Sequence, residues 1–499
     1  MHLPVIATVR SSAWRAFQMC HEVRLARLAP ITTAPAGRLA LTFPWGKGRE
    51  WLKRQPVVGS GGVHARNPDR KATAIVTRHT TTFALCALTF ALTALPGQAE
   101  VLSTLTELPV PSSMRAEEPS LIALDDGRVL MTWTELTGDT YAEVRIAILD
   151  GEDWSAPMVV ASGDDIFVNY ADFPSAVALE DGTLAVHWLR MNGDSYYAYD
   201  VNIALSNDGG TTWGETIVPH RDGAVRQHGF VSLLPEADGG LLAIWLDGRN
   251  YDTTDTFGSG EDDANAMQLR TTGIGTDGTL TEDLLLDART CTCCQTTAVA
   301  AGDGTVLLAY RDRTVDEIRD ISVVRRVDGV WTDPMPVSGD GWEIAGCPIN
   351  GPALDAQGAD AALVWFTAAG GVPAVKLAFS DDAGASFGEP FAVDLGNPAG
   401  SVDVELDADG TAIVSWIERT AAGEVLLLCR ASAAAGCEDR VALTVSSAGR
   451  TMGFPRMAQV ADAIYVAWTE STLDAAGRPD GGSAIRMARG STLPDPAAD

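Results

Sequence analysis

From residue 100 onward, apolar and polar positions follow a repeating pattern with a mean spacing of about 56 residues. Most repeats have a short apolar run, a turn that contains Asp-Gly or a lone Gly, and a second apolar run that closes on an aromatic residue. Runs of this kind joined by glycine turns are typical of β-hairpins. The closing aromatic residues are Trp133, Trp188, Trp245, Tyr310, Trp365, Trp416 and Trp468.

A second pair of strands follows most of these hairpins, for example at 201–205 and 375–379, without helical periodicity between them. Four short antiparallel strands make one propeller blade, so the repeats predict an all-β, seven-bladed β-propeller of four-stranded antiparallel blades. A six-bladed ring is the alternative, if one repeat is an elaboration rather than a blade. The last repeat lacks a fourth strand, and we expect residues 101–108 to supply it, because closure removes exposed sheet edges.

The first hundred residues follow a different pattern. Arg78 and His79 precede an apolar run at 83–95 and small residues near 97–99, which is the order of a secretory signal peptide. We therefore predict a mis-assigned or disordered extension at 1–75, a signal peptide at 76–99 and the propeller at 100–499. The apolar run has about 13 residues where a membrane span needs about 20, so we predict no membrane insertion. The mature protein is expected to be secreted or periplasmic.

The charge balance narrows the choice of partners. The chain has 36 Lys and Arg against 66 Asp and Glu, and its formal net charge is −30. Residues 1–99 are basic on balance, so the predicted propeller is more acidic than the whole chain. Phosphate groups would be repelled, and this excludes nucleic acid and anionic membranes as partners.

Two of the second hairpins, at 206–213 and 380–387, carry the pattern Ser-x-Asp-x-Gly-x-Thr/Ser-aromatic. In such a turn the Asp accepts hydrogen bonds, the Gly permits a positive φ, and the aromatic ring packs under the hairpin. The pattern resembles the Asp-box, or bacterial neuraminidase repeat, of the sialidase superfamily. The resemblance implies a propeller glycoside hydrolase similar to an exo-α-sialidase, which acts on carbohydrates with an acidic, sialic-acid-like terminal sugar.

The loops before the first strand and after the second strand of each blade open on one face, near the central axis. Residues at these positions include carboxylates and tyrosines suited to acid–base or nucleophilic chemistry. The candidate catalytic residues are Asp172, Asp247, Asp312, Glu418 and Tyr251. His228 lies on the same face as a candidate substrate-binding residue or proton carrier, and a hydrogen-bonded loop histidine is the alternative.

Arginines also occur at these positions, against an acidic background. Sialidases hold the sugar carboxylate with three arginines, and the resemblance implies this role for arginines of the same face. The candidates are Arg249, Arg311, Arg313, Arg319 and Arg456. A lattice of surface salt bridges is the alternative for segment 311–320. Where the family has Arg-Ile-Pro, this chain reads Arg-Ala-Glu-Glu-Pro at 115–119, so an acid takes the place of the arginine.

Six cysteines lie in the predicted propeller, and an even number in an exported protein implies disulfides. Cys429 and Cys437 flank a short turn where other repeats have the Ser-x-Asp turn, so we predict a cross-strand disulfide between them. Four others enter neighbouring blades at matching positions: Cys291, Cys293, Cys294 and Cys347. We predict two disulfides among these four, and a thiolate site for copper or zinc is the alternative.

No cofactor is required by these predictions. A Ca²⁺ ion bound by acidic residues of the loop after Tyr251 is an alternative to a solvated loop. Its ligands would be Asp252, Asp255, Glu261, Asp262 and Asp263. We expect a monomer, and the sequence leaves open whether it is an enzyme. The other functions are a non-catalytic propeller that binds glycan or protein, and a metal or redox function at the cysteines.

Overall fold

The computed structural model describes residues 105–251, 266–446, 452–473 and 479–492. These residues form seven antiparallel sheets, and the first strand of each sheet contacts the first strand of the next, with the seventh against the first. The prediction of an all-β, seven-bladed propeller is confirmed, and the six-bladed alternative is wrong. The predicted extension at 1–75, the signal peptide at 76–99 and the acidic loop at 252–263 lie outside the described residues.

The first four blades each start with their innermost strand. Blade 1 consists of Ala116–Ala123, Val129–Leu136, Ala142–Asp150, Asp153–Trp154 and Met158–Gly163. Blade 2 consists of Ser175–Ala178, Leu184–Met191 and Tyr199–Ser206. Blade 3 consists of His228–Pro235, Leu241–Asp247, Met267–Ile274 and Leu284–Thr290. Blade 4 consists of Thr297–Ala300, Val306–Arg311, Ile321–Val327, Val330–Trp331 and Met335–Pro336.

The last three blades follow the same order. Blade 5 consists of Ala353–Gln357, Asp360–Thr367, Ala374–Ser380 and Phe391–Ala392, with a 3₁₀ turn at Ala369–Gly371. Blade 6 consists of Pro398–Leu406, Ala412–Thr420, Gly423–Ser432 and Gly436–Ser446. Blade 7 consists of Arg456–Val460, Ala463–Leu473, Pro479–Ser491 and the N-terminal strand Thr106–Leu108. Among the described residues, no helix has the length and hydropathy needed to cross a membrane.

Blade 7 is completed by a strand from the other end of the chain. Thr106–Leu108 pairs antiparallel with Pro479–Ser491, and Thr106 lies opposite Arg489. The Arg486 guanidinium forms an ion pair with Glu107 at 2.9 Å across this junction. The expectation that residues from 101–108 close the ring is confirmed for 106–108, while residues 101–104 lie outside the described part.

The closing aromatic residues form the centre of the core. All seven are buried on the second strand of their blades, between adjacent sheets. In three blades the indole N–H then donates to an acid two residues further along the strand. These pairs are Trp133 with Glu135 at 3.0 Å, Trp245 with Asp247 at 2.7 Å and Trp416 with Glu418 at 2.9 Å. A repeated Trp-x-Asp/Glu pattern therefore satisfies a buried donor with a buried acceptor.

The two Ser-x-Asp turns have the same hydrogen-bond pattern. Asp208 accepts from the Ser206 hydroxyl at 2.9 Å and from the Thr212 amide and hydroxyl at 2.9 and 2.6 Å. Asp382 accepts from Ser380 and Ser386 in the same way, at 2.8, 2.8 and 2.7 Å. Both turns connect the third strand to the rim, so they lie on the face opposite the entry loops of the first strands.

Candidate functional site

The first strands of three blades start with a bulge near the central axis. Register shifts occur between Glu117 and Ser120 in blade 1, and at the corresponding points of blades 3 and 6. The bulged residues Glu118, Phe230 and Ser401 have positive φ angles of 62°, 54° and 52°. Non-glycine residues rarely adopt this conformation, and bulges of this kind redirect side chains at the rims of β-structures. We call the face that carries these residues the entry face.

Polar side chains of the entry face join each blade to the next. At four junctions a side-chain oxygen at the start of one first strand accepts a hydrogen bond from the backbone N–H of the following one. These bonds are Phe230 N–H to Asp172 (2.7 Å), Gly351 N–H to Gln295 (3.0 Å), Ser401 N–H to Asn350 (2.9 Å) and Met457 N–H to Asp403 (2.7 Å). At the junction of blades 7 and 1, the Glu118 N–H donates to the Thr469 hydroxyl at 3.1 Å.

Glu118 is the exception among these entry residues, because its carboxyl group does not connect one blade to the next. The residue is 5% exposed, and neither carboxyl oxygen has a hydrogen-bond partner of normal geometry within the described part of the chain. Burial, and next the charge of Glu117, raise the pKa of Glu118 well above its usual value, although Thr134 lies near enough to oppose the shift. Burial therefore favours the protonated form of the Glu118 carboxyl group.

Asp172 is a second buried acid, and its negative charge also acts on Glu118. Its carboxylate accepts the Phe230 N–H and, at 3.1 Å, the Tyr199 hydroxyl. Burial raises the pKa of Asp172 to about 7, and these two hydrogen bonds limit the rise. The two carboxyl groups thus differ, because Asp172 accepts two hydrogen bonds of normal geometry and Glu118 accepts none within the described residues.

Aromatic side chains line the same face. The Phe454 ring lies 6.5 Å from Tyr170 and 6.1 Å from Phe173, measured between ring centroids. Tyr196 and Tyr197, in the loop after the second strand of blade 2, are 50% and 51% exposed. Burial raises the pKa of Tyr196, and the charge of Glu118 adds to this, which places Tyr196 close to that acid. Together these rings form an aromatic surface beside Glu118.

One arginine extends over this surface. The Arg456 guanidinium lies 5.8 Å from the centroid of the Phe173 ring and 3.3 Å from a carboxylate oxygen of Asp403. The side chain of Arg456 is partly exposed. It is therefore positioned to contact a ligand that lies on the aromatic surface.

The other predicted substrate-binding arginines are engaged within the protein. Arg311 is buried, donates to the carbonyl oxygens of Asn350, Arg319 and Phe366 at 2.8, 2.6 and 2.6 Å, and stacks on Trp342. Burial lowers the pKa of Arg311 to about 9. These bonds use the nitrogen atoms that a sugar carboxylate would need. The expectation that Arg311 grips substrate is thus corrected, because Arg311 holds blades 4 and 5 together.

Arg313 and Arg319 are also buried, and they share the carboxylate of Glu317 at 2.5 and 2.7 Å. Arg249 binds Asp247 at 2.7 Å and Asp283 at 2.8 Å. Arg313 and Arg319 therefore form internal ion pairs with Glu317 rather than the expected open clamp, and the salt-bridge alternative describes these two, except that the arginine side chains are buried. Arg311 differs, because it binds carbonyl oxygens instead of a carboxylate.

Three of the predicted catalytic acids have structural partners. Asp247 and Glu418 each accept the indole N–H of the tryptophan two residues before, and Glu418 also accepts the Asn397 amide at 2.7 Å. Asp312 accepts the Arg313 amide at 2.6 Å and the Ser322 hydroxyl at 3.1 Å. Burial and the charge of Asp287 raise the pKa of Asp312 to about 6. These contacts correct the expectation that Asp247 and Glu418 lie free for catalysis.

Tyr251 and His228 are both buried. Tyr251 packs in the core between blades 3 and 4 with Phe230 and Met267, rather than lying open as a nucleophile. His228 stacks on His220 with 3.7 Å between ring centroids and contacts Asp222 at 3.1 Å. Although burial opposes it, the contacts with neighbouring aspartates raise the pKa of His228 to about 9, so the ring carries a charge. These contacts agree with the alternative prediction for His228, which is a hydrogen-bonded loop histidine.

The six cysteines form three pairs. Cys429 is bonded to Cys437 across the outer hairpin of blade 6. Cys293 is bonded to Cys347, and this disulfide joins the entry loops of blades 4 and 5. Cys291 is bonded to Cys294 within one loop. The Cys293–Cys347 disulfide therefore stabilises the entry face at the junction of blades 4 and 5.

The sequence placed Glu118 among the entry residues but gave no reason to prefer it over the other acids. Its signal was the Glu-Glu-Pro run at 117–119, where the family pattern has an arginine. What distinguishes Glu118 is a buried carboxyl group without a hydrogen bond of normal geometry, and that depends on residues distant in sequence, such as Asp172, which lie around it. No local pattern carries this information.

No protein-family model matches this chain, and no curated protein matches it. Solved structures share its fold. A lectin from Burkholderia pseudomallei has a TM-score of 0.51 at 10% identity, over 77% of this chain and 97% of the lectin. A Dyadobacter fermentans protein of unknown function has a TM-score of 0.46 at 12% identity, over 78% and 98% of the two chains. The NanB sialidase of Streptococcus pneumoniae has a TM-score of 0.41 at 13% identity, over 77% and 69%. At these identities the likeness concerns the propeller fold alone.

Proposed function

We propose that the protein binds a carbohydrate on its entry face and hydrolyses a glycosidic bond with Glu118 as the general acid. The observation that supports this is the buried carboxyl group of Glu118, which has no hydrogen bond of normal geometry within the described residues and whose pKa is raised well above its usual value by burial. Glycoside hydrolysis needs an acid that still carries its proton near neutral pH, so that it can protonate the leaving oxygen. A buried acid with a raised pKa meets this need.

Asp172 is the matching second carboxylate in this proposal. Its two hydrogen-bond donors favour the ionised form of Asp172 and limit the rise of its pKa to about 7, whereas burial and the charge of Glu117 raise the pKa of Glu118 well above its usual value. Paired carboxyl groups with separated pKa values are the usual arrangement of glycosidases. Asp172 would stabilise positive charge that develops on the sugar ring in the transition state.

The aromatic surface and Arg456 provide the binding contacts. Sugar rings present apolar C–H faces, and Tyr196 and Tyr197 expose half of their area for stacking on them. Arg456 provides a positive charge for an acidic sugar, which is the basis for the finer proposal of an exo-α-sialidase-like enzyme. The signal-like segment at 76–99 supports a site of action outside the cytoplasm.

The test is turnover of fluorogenic glycosides, including a sialoside and neutral hexosides, by the wild type and by Glu118→Gln. We expect Glu118→Gln to lower kcat by at least about 100-fold without a loss of thermal stability, because Gln replaces a neutral side chain of the same shape. Glu470→Gln is the control, since the Glu470 carboxylate lies on the same face but is held by Arg486 at 2.8 Å. Wild-type turnover in Glu118→Gln would refute the proposed acid.

A non-catalytic, lectin-like role is the second candidate. This role is favoured because Tyr196 and Tyr197 are half exposed, whereas Glu118 is buried. A glycan array followed by calorimetry separates the two functions. Binding that is lost in Tyr196→Ala, without turnover by the wild type, would support the lectin-like role over the hydrolase.

A further inference from the structure

Four cysteines, paired in two disulfides, lie where the entry loops of blades 4 and 5 come together: Cys291, Cys293, Cys294 and Cys347. We call this group the four-cysteine cluster. We propose that the cluster, when reduced, binds one Zn²⁺ ion through four thiolates. The site is separate from the carboxyl group of Glu118 and does not depend on the proposed glycan chemistry.

The sulfur positions suit a tetrahedral ion. The Sγ atoms of Cys291 and Cys293 lie 3.9 Å apart, and those of Cys291, Cys293 and Cys294 all lie within 4.8 Å of one another. A tetrahedral zinc site with Zn–S bonds of about 2.3 Å has sulfur–sulfur edges of about 3.8 Å. Cys347 is bonded to Cys293, so its sulfur lies next to this group of three but not within 4.8 Å of all of them. Once the disulfides open, the Cys347 side chain must turn towards the other sulfurs to provide the fourth ligand.

The electrostatic surroundings favour thiolates. The Arg319 guanidinium donates to the Cys291 sulfur at 3.8 Å, and a nearby positive charge stabilises a thiolate over a thiol. Cys291 and Cys294 are 0% and 1% exposed, while Cys293 and Cys347 are partly exposed. Reductant and metal can reach the partly exposed Cys293 and Cys347. The buried Cys291 and Cys294 would shield the bound ion from water.

Hydrogen bonds hold the backbone around the cluster in place. The Cys291 amide donates to the Arg311 carbonyl at 3.0 Å, and the Gln227 side chain donates to the Thr292 carbonyl at 3.0 Å. The Gly351 amide donates to the Gln295 side chain at 3.0 Å, which joins the two loops that carry the cysteines. The loops would therefore keep their positions after the disulfides are opened, and the thiolates would stay close together.

The chemistry balances with a dithiol as the reductant. Two disulfides take up four electrons and four protons and give four thiols, while two dithiol molecules are oxidised to disulfides. Zinc then replaces the thiol protons and forms four Zn–S bonds. The oxidised protein has no free thiolate in the cluster and should bind no zinc there.

The experiment measures zinc in the full-length protein after dithiol treatment and removal of the reductant under anaerobic conditions. We expect one equivalent of Zn²⁺ per chain, and Co²⁺ should give the strong visible absorption of a tetrahedral thiolate site. Cys347→Ser should lose the equivalent and the absorption. Cys429→Ser is the matched control, because it breaks the separate pair of blade 6, and it should keep both. Arg319→Gln should bind zinc about 10-fold more weakly.

Circular dichroism and thermal unfolding must show that each reduced variant is folded. A folded, reduced wild type that binds less than stoichiometric zinc would overturn the proposal, as would equal losses in Cys347→Ser and Cys429→Ser. If Cys347→Ser does not fold, Cys293→Ser and Arg319→Gln give the same comparison. Glycosidase turnover plays no part in this readout, so failure here leaves the assignment of Glu118 untouched.

Discussion

At the scale of single residues, the role of an acid on this face depends on how many donors it receives. Glu418 accepts from Trp416 and from backbone amides, so it stabilises a loop and a core tryptophan. Asp403 accepts the Met457 amide and joins two blades. Glu118 accepts no hydrogen bond of normal geometry within the described residues, and burial raises its pKa well above the usual value. Chemically similar side chains thus become structural or reactive through contacts made across the fold.

Asp172 gives a prediction on pH dependence. Burial raises its pKa from 3.8 to about 7 in the folded state, so the folded protein holds a proton that the unfolded chain releases between pH 4 and 7. Stability from this group is therefore present below pH 4 and is lost as the pH rises to 7, by about 1.4 kcal/mol for each pKa unit. Asp172→Asn should remove this loss while keeping the acceptor for the Phe230 amide.

The measurement is the free energy of unfolding in urea for the wild type and Asp172→Asn, from pH 4 to 8. The unfolding free energy of Asp172→Asn minus that of the wild type should increase up to pH 7 and then level off. Asp194→Asn replaces an exposed carboxylate and is the control. A difference that is independent of pH would show that Asp172 does not titrate in this range.

At the scale of strands and loops, the junction of blades 4 and 5 depends on a close backbone approach. A Cβ atom added to Gly351 would lie 2.1 Å from the Gln295 carbonyl oxygen and 2.7 Å from its backbone carbon. Because backbone atoms cannot turn away as a flexible side chain can, Gly351→Ala must push the two entry loops apart. We expect a loss of about 3 kcal/mol or more in unfolding free energy.

The control for this prediction lies five residues earlier. A Cβ atom on Gly346 would meet only Ile344, at an ordinary 3.8 Å, so Gly346→Ala should change stability by less than about 0.5 kcal/mol. Thermal and urea unfolding of both variants decide the question. Similar losses at Gly351 and Gly346 would mean that the close approach does not limit the packing of these blades.

At the scale of the whole molecule, the ring depends on a short strand from the start of the described chain. Thr106–Leu108 covers the edge of Pro479–Ser491, and without it that edge would have unpaired N–H and C=O groups. We expect a variant that begins at residue 109 to unfold at a lower temperature and to aggregate more than one that begins at residue 105. Calorimetry and size-exclusion chromatography provide the comparison, and equal behaviour would contradict a stabilising role for closure.

The sequence alone was sufficient to predict the architecture, because the pattern that predicts a blade occurs in every repeat. Each blade carries its own apolar runs and closing aromatic residue, most have a glycine turn, and seven such units can bury their faces by forming a ring. Local turn chemistry was equally readable, since the Ser and Thr side chains that Asp208 binds each lie within four residues of Asp208. These features depend on neighbours in sequence or on repetition.

Only the tertiary structure decided which polar residues remain free to act. Arg311 appeared to be a ligand for a sugar carboxylate, yet its guanidinium binds the carbonyl oxygens of Asn350 and Phe366, 39 and 55 residues away. Glu118 appeared to be one acid among many, yet within the described residues its buried carboxyl oxygens have no hydrogen bond of normal geometry. Hydrogen bonding and desolvation depend on atoms brought together by folding, so the sequence determined the ring of blades while the fold determined its chemistry.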